Sequence, residues 1–187
     1  VAQFGALAAA TMLFSIFGNL LITPIIMTRI RLVGLYQILS MSIDRDVLDK
    51  SPLLQNMSNY QRRKAILISE LHEFEKGELL VEQDTIGRSM HLILSGEAQV
   101  IRRDANASRL LATLKPGQVF GEVGYISETE RTADVVATEN LSALRFNYER
   151  MEKDLKFFPN IVAKLNLNIS YILGERLADM VGNSKNK

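Results

Sequence analysis

Between Phe120 and Ala137 the chain reads FGEVGYISETERTADVVA, which sets two glycines, three glutamates and an arginine between two apolar runs. Gly121 and Glu122 fall just after a strand-like stretch. A glycine there permits close backbone approach to a ligand, and N–H groups exposed at the start of a short helix can bind an oxyanion. Arg131, nine residues after Glu122, offers a planar fork of donors to the same anion. Glu122 can accept hydrogen bonds from sugar hydroxyls; without such a task a carboxylate beside a phosphate is a poor choice. One short stretch thus supplies donors for a phosphate and an acceptor for a ribose. The same spacing also fits a plain Glu122–Arg131 salt bridge across a loop.

Other chemistry finds little material. With no cysteine, disulfides, thiol nucleophiles and thiolate metal sites are excluded. The two histidines, His72 and His91, stand in no metal-ligand spacing with Asp or Glu, so neither a metal nor an enzyme on a cupin-like barrel is expected, and His91 reads as a packing residue on a strand. A formal charge of +1 gives no reason to expect nucleic acid, and no helix-turn-helix follows the last helical segment.

The elements that must position these residues can be read from periodicity. A chain of 187 residues with 47% hydrophobic and 23% charged residues buries one ordinary core. Ser51 before Pro52 marks a short helix, and Ser58 with Gln61 forms a capping box opening a helix to about Leu71. Arg62, Arg63 and Lys64 at its start read as a solvated face. After Glu73, glycines at 77, 87, 96, 117, 121 and 124 punctuate short runs with partial period-two alternation, the pattern of a compact antiparallel barrel or jelly roll. Lys115-Pro116-Gly117-Gln118 is a turn. Helical character returns at Tyr148 and ends in a long segment after Pro159, where Val162, Leu165, Ile169, Ile172, Leu173, Leu177 and Met180 form an apolar stripe. That stripe fits a core face or a dimer seam, and more sharply a ligand lid.

The composition is uneven. Val1 to Thr28 contains no Asp, Glu, Lys or Arg, and at ~1.5 Å per residue such a run spans the roughly 30 Å of a hydrocarbon core. Arg29 and Arg31 follow at once, so positive-inside bias puts the residues after Arg29 on the cytoplasmic side of the cell (inner) membrane. Pro24 would kink or end the helix near that face. A first residue other than Met suggests a chain cut from a longer protein. Within this run GNLLITPIIM resembles the closing transmembrane helix of the resistance-nodulation-division exporters, including their mycobacterial-type lipid-export branch, where an Asn-Leu-Leu-x-x-Pro pattern recurs.

A second resemblance covers roughly Asp49 to Met180. Phe120-Gly121-Glu122, Val123-Gly124-Tyr125-Ile126 and Arg131-Thr132-Ala133 are similar, without a gap, to the phosphate-binding cassette of cyclic-nucleotide-binding domains. FEKGELLVEQDTIGRSMHLILSGEAQV looks like that family's first strands and LLATLKPGQVFGE like its approach to the cassette. The resemblance implies an eight-stranded antiparallel jelly-roll barrel with flanking helices, mainly β, binding cAMP or cGMP without chemistry. It implies that Arg131 pairs with the cyclic phosphate, that Glu122 accepts from the ribose 2′-hydroxyl, and that Gly121, Glu122, Thr132 and Ala133 add donors around the phosphate. Ile172, Leu173 and Arg176 lie where the family's last helix closes over the purine, and the Thr132 hydroxyl would reach a guanine amino group. Three residues depart from the pattern. Glu130 stands for a frequent proline, and Glu128 and Asp84 stand for glycines; Asp tolerates the left-handed conformation better than most residues.

The expected organisation is a transmembrane helix over 1–28 closing a larger membrane domain, a linker over 29–48, the cyclic-nucleotide-binding domain over 49–181 and a polar tail over 182–187. The expected function is non-enzymatic: a membrane-tethered regulatory domain that controls a transporter, with its own upstream membrane domain as partner and a homo-oligomer as a candidate assembly. The competing expectation is a degenerate cassette serving protein interaction or oligomerisation without nucleotide.

Overall fold

The computed structural model describes residues 2–17, 45–104 and 107–184. It divides into two compact units, Val1–Ser40 and Met41–Lys187. The described part of the first is one helix, α1 (Ala2–Phe17), with Leu7, Met12, Leu13, Phe14 and Ile16 exposed. Among the described residues no helix is long and apolar enough to cross a membrane. The remainder of the expected span, with Pro24, and most of the expected linker lie outside the described residues.

The second unit opens with α2 (Arg45–Lys50), a 3-10 turn (Pro52–Leu54) and α3 (Asn59–Ile68). Ser58 and Gln61 form the expected capping box, each side chain accepting from the other's backbone N–H. Helix α3 stops at Ile68, short of Leu71, because the chain turns extended at Ser69 and enters the first strand at Glu70. Eight strands follow: β1 (Glu70–Phe74), β2 (Leu79–Val81), β3 (Ser89–Ser95), β4 (Ala98–Asp104), β5 (Ala107–Leu114), β6 (Val119–Phe120), β7 (Asp134–Ala137) and β8 (Leu141–Asn147). They make two four-stranded antiparallel sheets, ordered β1-β8-β3-β6 and β2-β7-β4-β5. The core between them gathers Val81, Ile93, Ala98, Leu114, Phe120, Val135, Ala137, Leu141 and Ala143. Large side chains buried in this way contribute roughly 1.5–3 kcal/mol each.

Three helices complete the unit: α4 (Glu122–Ser127) between β6 and β7, then α5 (Tyr148–Asp154) and α6 (Pro159–Ser184). Pro159 suits the first turn of α6, where its missing N–H has no acceptor to lose. The expected apolar stripe of α6 divides in two. Leu165, Ile169 and Ile172 are buried, with Ile161 and Asn168 beside them, Val162 and Leu173 are half-buried, and Leu177 and Met180 are exposed. Asn168 explains how the first half is held: its amide donates to the carbonyls of Leu53 and Gln55 at 2.8 and 2.9 Å, fastening α6 to the 3-10 turn. The helix runs on to Ser184, through the start of the expected polar tail.

Candidate functional site

The segment from Gly121 to Ala133 is organised around one side chain. Gly121 caps α4 at φ +78°, a left-handed conformation that glycine adopts without strain. A Cβ at Gly121 would stand 2.8 Å from Arg131 Nη1 and 2.9 Å from the Ser89 carbonyl. A Cβ at Gly124 would also stand 2.8 Å from Nη1, and 3.1 Å from the Gly87 carbonyl. The two glycines of the stretch therefore clear the volume that the guanidinium fills.

The backbone of Arg131 is fixed from the loop after β2. Its N–H donates to the Thr85 carbonyl at 2.9 Å, and its carbonyl accepts from Asp84 N–H at 2.9 Å. Asp84 holds the expected left-handed conformation at φ +63°. Next to it, Gln83 N–H donates to Asp134 Oδ1 at 2.7 Å, and Asp134 Oδ2 lies 2.8 Å from Arg103 Nε, so β7 and β4 brace the same loop.

The Arg131 side chain is buried, at 7% exposure. Nη1 donates to the Gly121 carbonyl at 2.8 Å; Nη2 donates to the Ser89 carbonyl at 2.7 Å and to Ser89 Oγ at 3.2 Å. A guanidinium has five N–H donors, so Nε–H and one N–H of Nη1 keep no acceptor among the described residues. Burial lowers the Arg131 pKa, opposed by the Glu122 charge and reinforced by Arg145. Arginine stays protonated under such shifts.

Glu122 forms no salt bridge with Arg131. Buried at 3% exposure, it pairs through Oε1 with Nη1 of Arg176, whose Nη2 donates to the Val119 carbonyl. Glu122 Oε2 is buried and has no hydrogen-bond partner among the described residues. A cavity of about 1370 Å³ is lined by Glu122 together with Gly121, Arg131, Thr132, Ala133 and Arg176. Val100, Leu111 and Val135 give it apolar wall, and Glu130 also lines it. Of the residues expected on the last helix, Arg176 reaches the cavity; Ile172 is buried elsewhere on α6, and Leu173 does not line it either. Asp179 and Met180, about one turn further on, do. Sequence reasoning missed Ser89, which anchors Arg131 from β3 without any linear motif, and missed the pairing of Arg176 with Glu122. Among the described residues no group of three or more His, Asp or Glu could hold a metal ion.

His91 has the expected packing role: its ring stacks on Phe120 with centroids 4.8 Å apart and planes 9° from parallel. Burial, reinforced by Arg145, Arg131 and His72, depresses its pKa from 6.5 to about 3. Above pH 6.5 the ring is neutral folded and unfolded, so it adds no pH dependence. As pH falls from 6.5 toward 3 the unfolded chain takes up a proton that the folded chain refuses, and stability drops by on the order of a few kcal/mol. Thermal melts of His91→Phe are expected to lose this part of the acid sensitivity. An unchanged difference in melting temperature between pH 7 and pH 4 contradicts the assignment.

Comparison with known proteins agrees with this arrangement. Residues 71–156 match the family described as the cyclic nucleotide-binding domain. The chain is 33% identical over 101 residues to the cAMP-dependent protein kinase regulatory subunit of Schizosaccharomyces pombe, covering 54% of this chain and 24% of that protein. It is 28% identical over 130 residues to the cyclic AMP receptor protein of Thermus thermophilus, covering 69% of this chain and 58% of that one. The crystal structure of the Thermus thermophilus catabolite activator protein superposes with a TM-score of 0.65 at 25% identity, over 72% of this chain and 62% of that one. The chain thus spans about a quarter and somewhat over half of the two curated relatives. Sequence match, two-sheet fold and the Gly121–Ala133 segment converge: residues 71–156 are a domain of the cyclic nucleotide-binding family.

Proposed function

We infer that the large cavity takes cAMP or cGMP and that the domain is a non-enzymatic regulator whose ligand changes how α6 sits. The observation that carries this reading is the Glu122 carboxylate. A buried acceptor without a partner is costly unless a ligand donates to it, and Glu122, whose Oε2 has no partner, lines the same cavity as Arg131, which keeps two N–H groups without an acceptor. An oxyanion donor beside a hydroxyl acceptor fits a cyclic phosphate joined to a ribose. Arg131 takes the phosphate, with Gly121, Glu122, Thr132 and Ala133 around it, and Glu122 takes the 2′-hydroxyl. The purine then extends toward Thr132 and the α6 turns carrying Arg176 and Asp179.

Ligand can act at a distance because α6 touches both ends of the path. Arg176 meets the ribose acceptor, and Asn168 grips the 3-10 turn that follows α2. A nucleotide that favours one position of Arg176 therefore biases the N-terminal side of the domain. That side is taken to lead through residues 29–44 to a membrane anchor over 1–28, with residues after Arg29 cytoplasmic and a resistance-nodulation-division type transporter as the regulated partner. The uncharged run, the arginines that follow it and the GNLLITPIIM pattern support this tether.

One observation favours the second reading, an interaction or oligomerisation module without nucleotide. Glu130 lines the cavity beside Arg131 and adds a negative charge where an anion would sit. Glu122→Ala separates the readings. Affinity for cAMP is expected to fall about tenfold, and the loss to shrink for 2′-deoxy-cAMP. Equal losses for the two ligands in calorimetry would remove Glu122 from the ribose.

A further inference from the structure

A second cavity, of about 290 Å³, shares Val81 and Arg131 with the large one and is lined among others by His72, Glu82, Ser89, His91 and Arg145. Its polar lining follows from the strand register. Arg145 on β8 stands opposite His91 on β3, and His91 stands opposite Phe120 on β6, so all three project to the same side of the sheet as the core residue Phe120. Where a sandwich interior would normally carry apolar side chains, this end carries an arginine and a histidine.

The charges there do not balance. The Arg145 side chain makes no hydrogen bond or ion pair with any described residue. Its cross-strand neighbour Glu70 is engaged elsewhere, by Arg150 and by His72 at 3.5 Å. Arg131 is held only by carbonyl and hydroxyl oxygens, all neutral. His91 is 4% exposed and its Nδ1 has no partner. The one carboxylate in the lining, Glu82, is more than half exposed and lies 4.0 Å from Arg103. Two guanidinium groups and an imidazole with an unpartnered Nδ1 thus line one space in which the single lining carboxylate is the half-solvated Glu82. The Glu122 charge acts on Arg131 but not on Arg145 through any ion pair.

We propose that this inner cavity is a second ligand site, distinct from the nucleotide cavity, which takes a small oxyanion of the size of inorganic phosphate or acetate with Arg145 as its principal counter-charge. A neutral imidazole still has one N–H to give, and Ser89 supplies a hydroxyl, so the anion meets charged and neutral donors together. Arg131 and Val81 line both cavities.

The test uses the whole 187-residue chain without nucleotide, so that it stands or falls apart from the reading of the large cavity. The His91 ring and the Arg145 Nε–H are followed by NMR while sodium phosphate or sodium acetate is added at constant ionic strength, with chloride as the exchanged salt. Saturable shifts of both groups are expected with at least one oxyanion, and phosphate against acetate decides which oxyanion is preferred. Arg145→Gln is expected to weaken that binding at least about tenfold, with the amide spectrum reporting that the fold persists. Shifts that stay absent or never saturate in the unsubstituted chain would overturn the site whatever the variant does. So would equal affinity in a folded Arg145→Gln chain.

Discussion

Replacing Arg131 by alanine is expected to cost about 2–5 kcal/mol of nucleotide binding, which is roughly 30- to several-thousand-fold in Kd. The lost contact is charge-assisted, and Nε–H and one N–H of Nη1 are the donors still free to reach the phosphate. The fold should survive, because the Gly121 carbonyl keeps its bond from Tyr125 N–H at 3.1 Å and the tie to Thr85 and Asp84 is made by backbone. Arg131→Lys should fall between the two, keeping the charge and losing the planar fork. Calorimetry on chains with matched melting curves checks this, and an alanine variant that binds as tightly as the unsubstituted chain would take the phosphate away from Arg131.

The second large effect is expected from a single methyl group. Gly124→Ala puts a Cβ 2.8 Å from Arg131 Nη1, at the movable end of a long side chain, and 3.1 Å from the fixed Gly87 carbonyl. The guanidinium must give way. Helix α4 loses nothing, since alanine is the better helix former by about 1 kcal/mol and Gly124 has no left-handed φ to protect. Affinity should therefore drop at least about tenfold while the melting temperature holds nearly steady. Gly121→Ala is the contrasting case: φ is +78° and the nearby Ser89 carbonyl cannot move, so stability should fall along with affinity. If Gly124→Ala binds normally, the two glycines are not there to seat the arginine.

Local chemistry was the most legible part of the sequence. The Ser58–Gln61 capping box and the Lys115–Gln118 turn rest on neighbours in the chain, and both are present; the short alternating runs are strands, and their number is the eight that the family resemblance implied. Asp84, standing where the family favours glycine, takes the left-handed conformation expected of it at φ +63°, and Glu128, for which no conformation was expected, does the same at +55°. What stayed hidden depends on contacts across the fold. Spacing alone left a Glu122–Arg131 salt bridge open, whereas Glu122 finds Arg176, 54 residues away, and Arg131 finds Ser89, 42 residues away. The stripe on α6 was visible, but a stripe cannot say where the helix leaves the core. Asn168, a polar residue amid that stripe, binds the carbonyls of Leu53 and Gln55 at the 3-10 turn, and burial continues to Ile172. Beyond it the lining falls to Arg176, Asp179 and Met180 rather than Ile172 and Leu173.

The most direct test of the central claim is calorimetric titration of the unsubstituted chain with cAMP and with cGMP. Thr132 lines the cavity, and its hydroxyl could favour cGMP by one neutral hydrogen bond, about 0.5–1.5 kcal/mol, which is too little for exclusive choice. Both nucleotides are therefore expected to bind saturably, one per chain, with affinities within about a hundredfold of each other. No heat from either nucleotide at millimolar concentration, in a chain whose melting curve shows it folded, would contradict the account and leave a domain of this family that has kept the fold and given up the ligand.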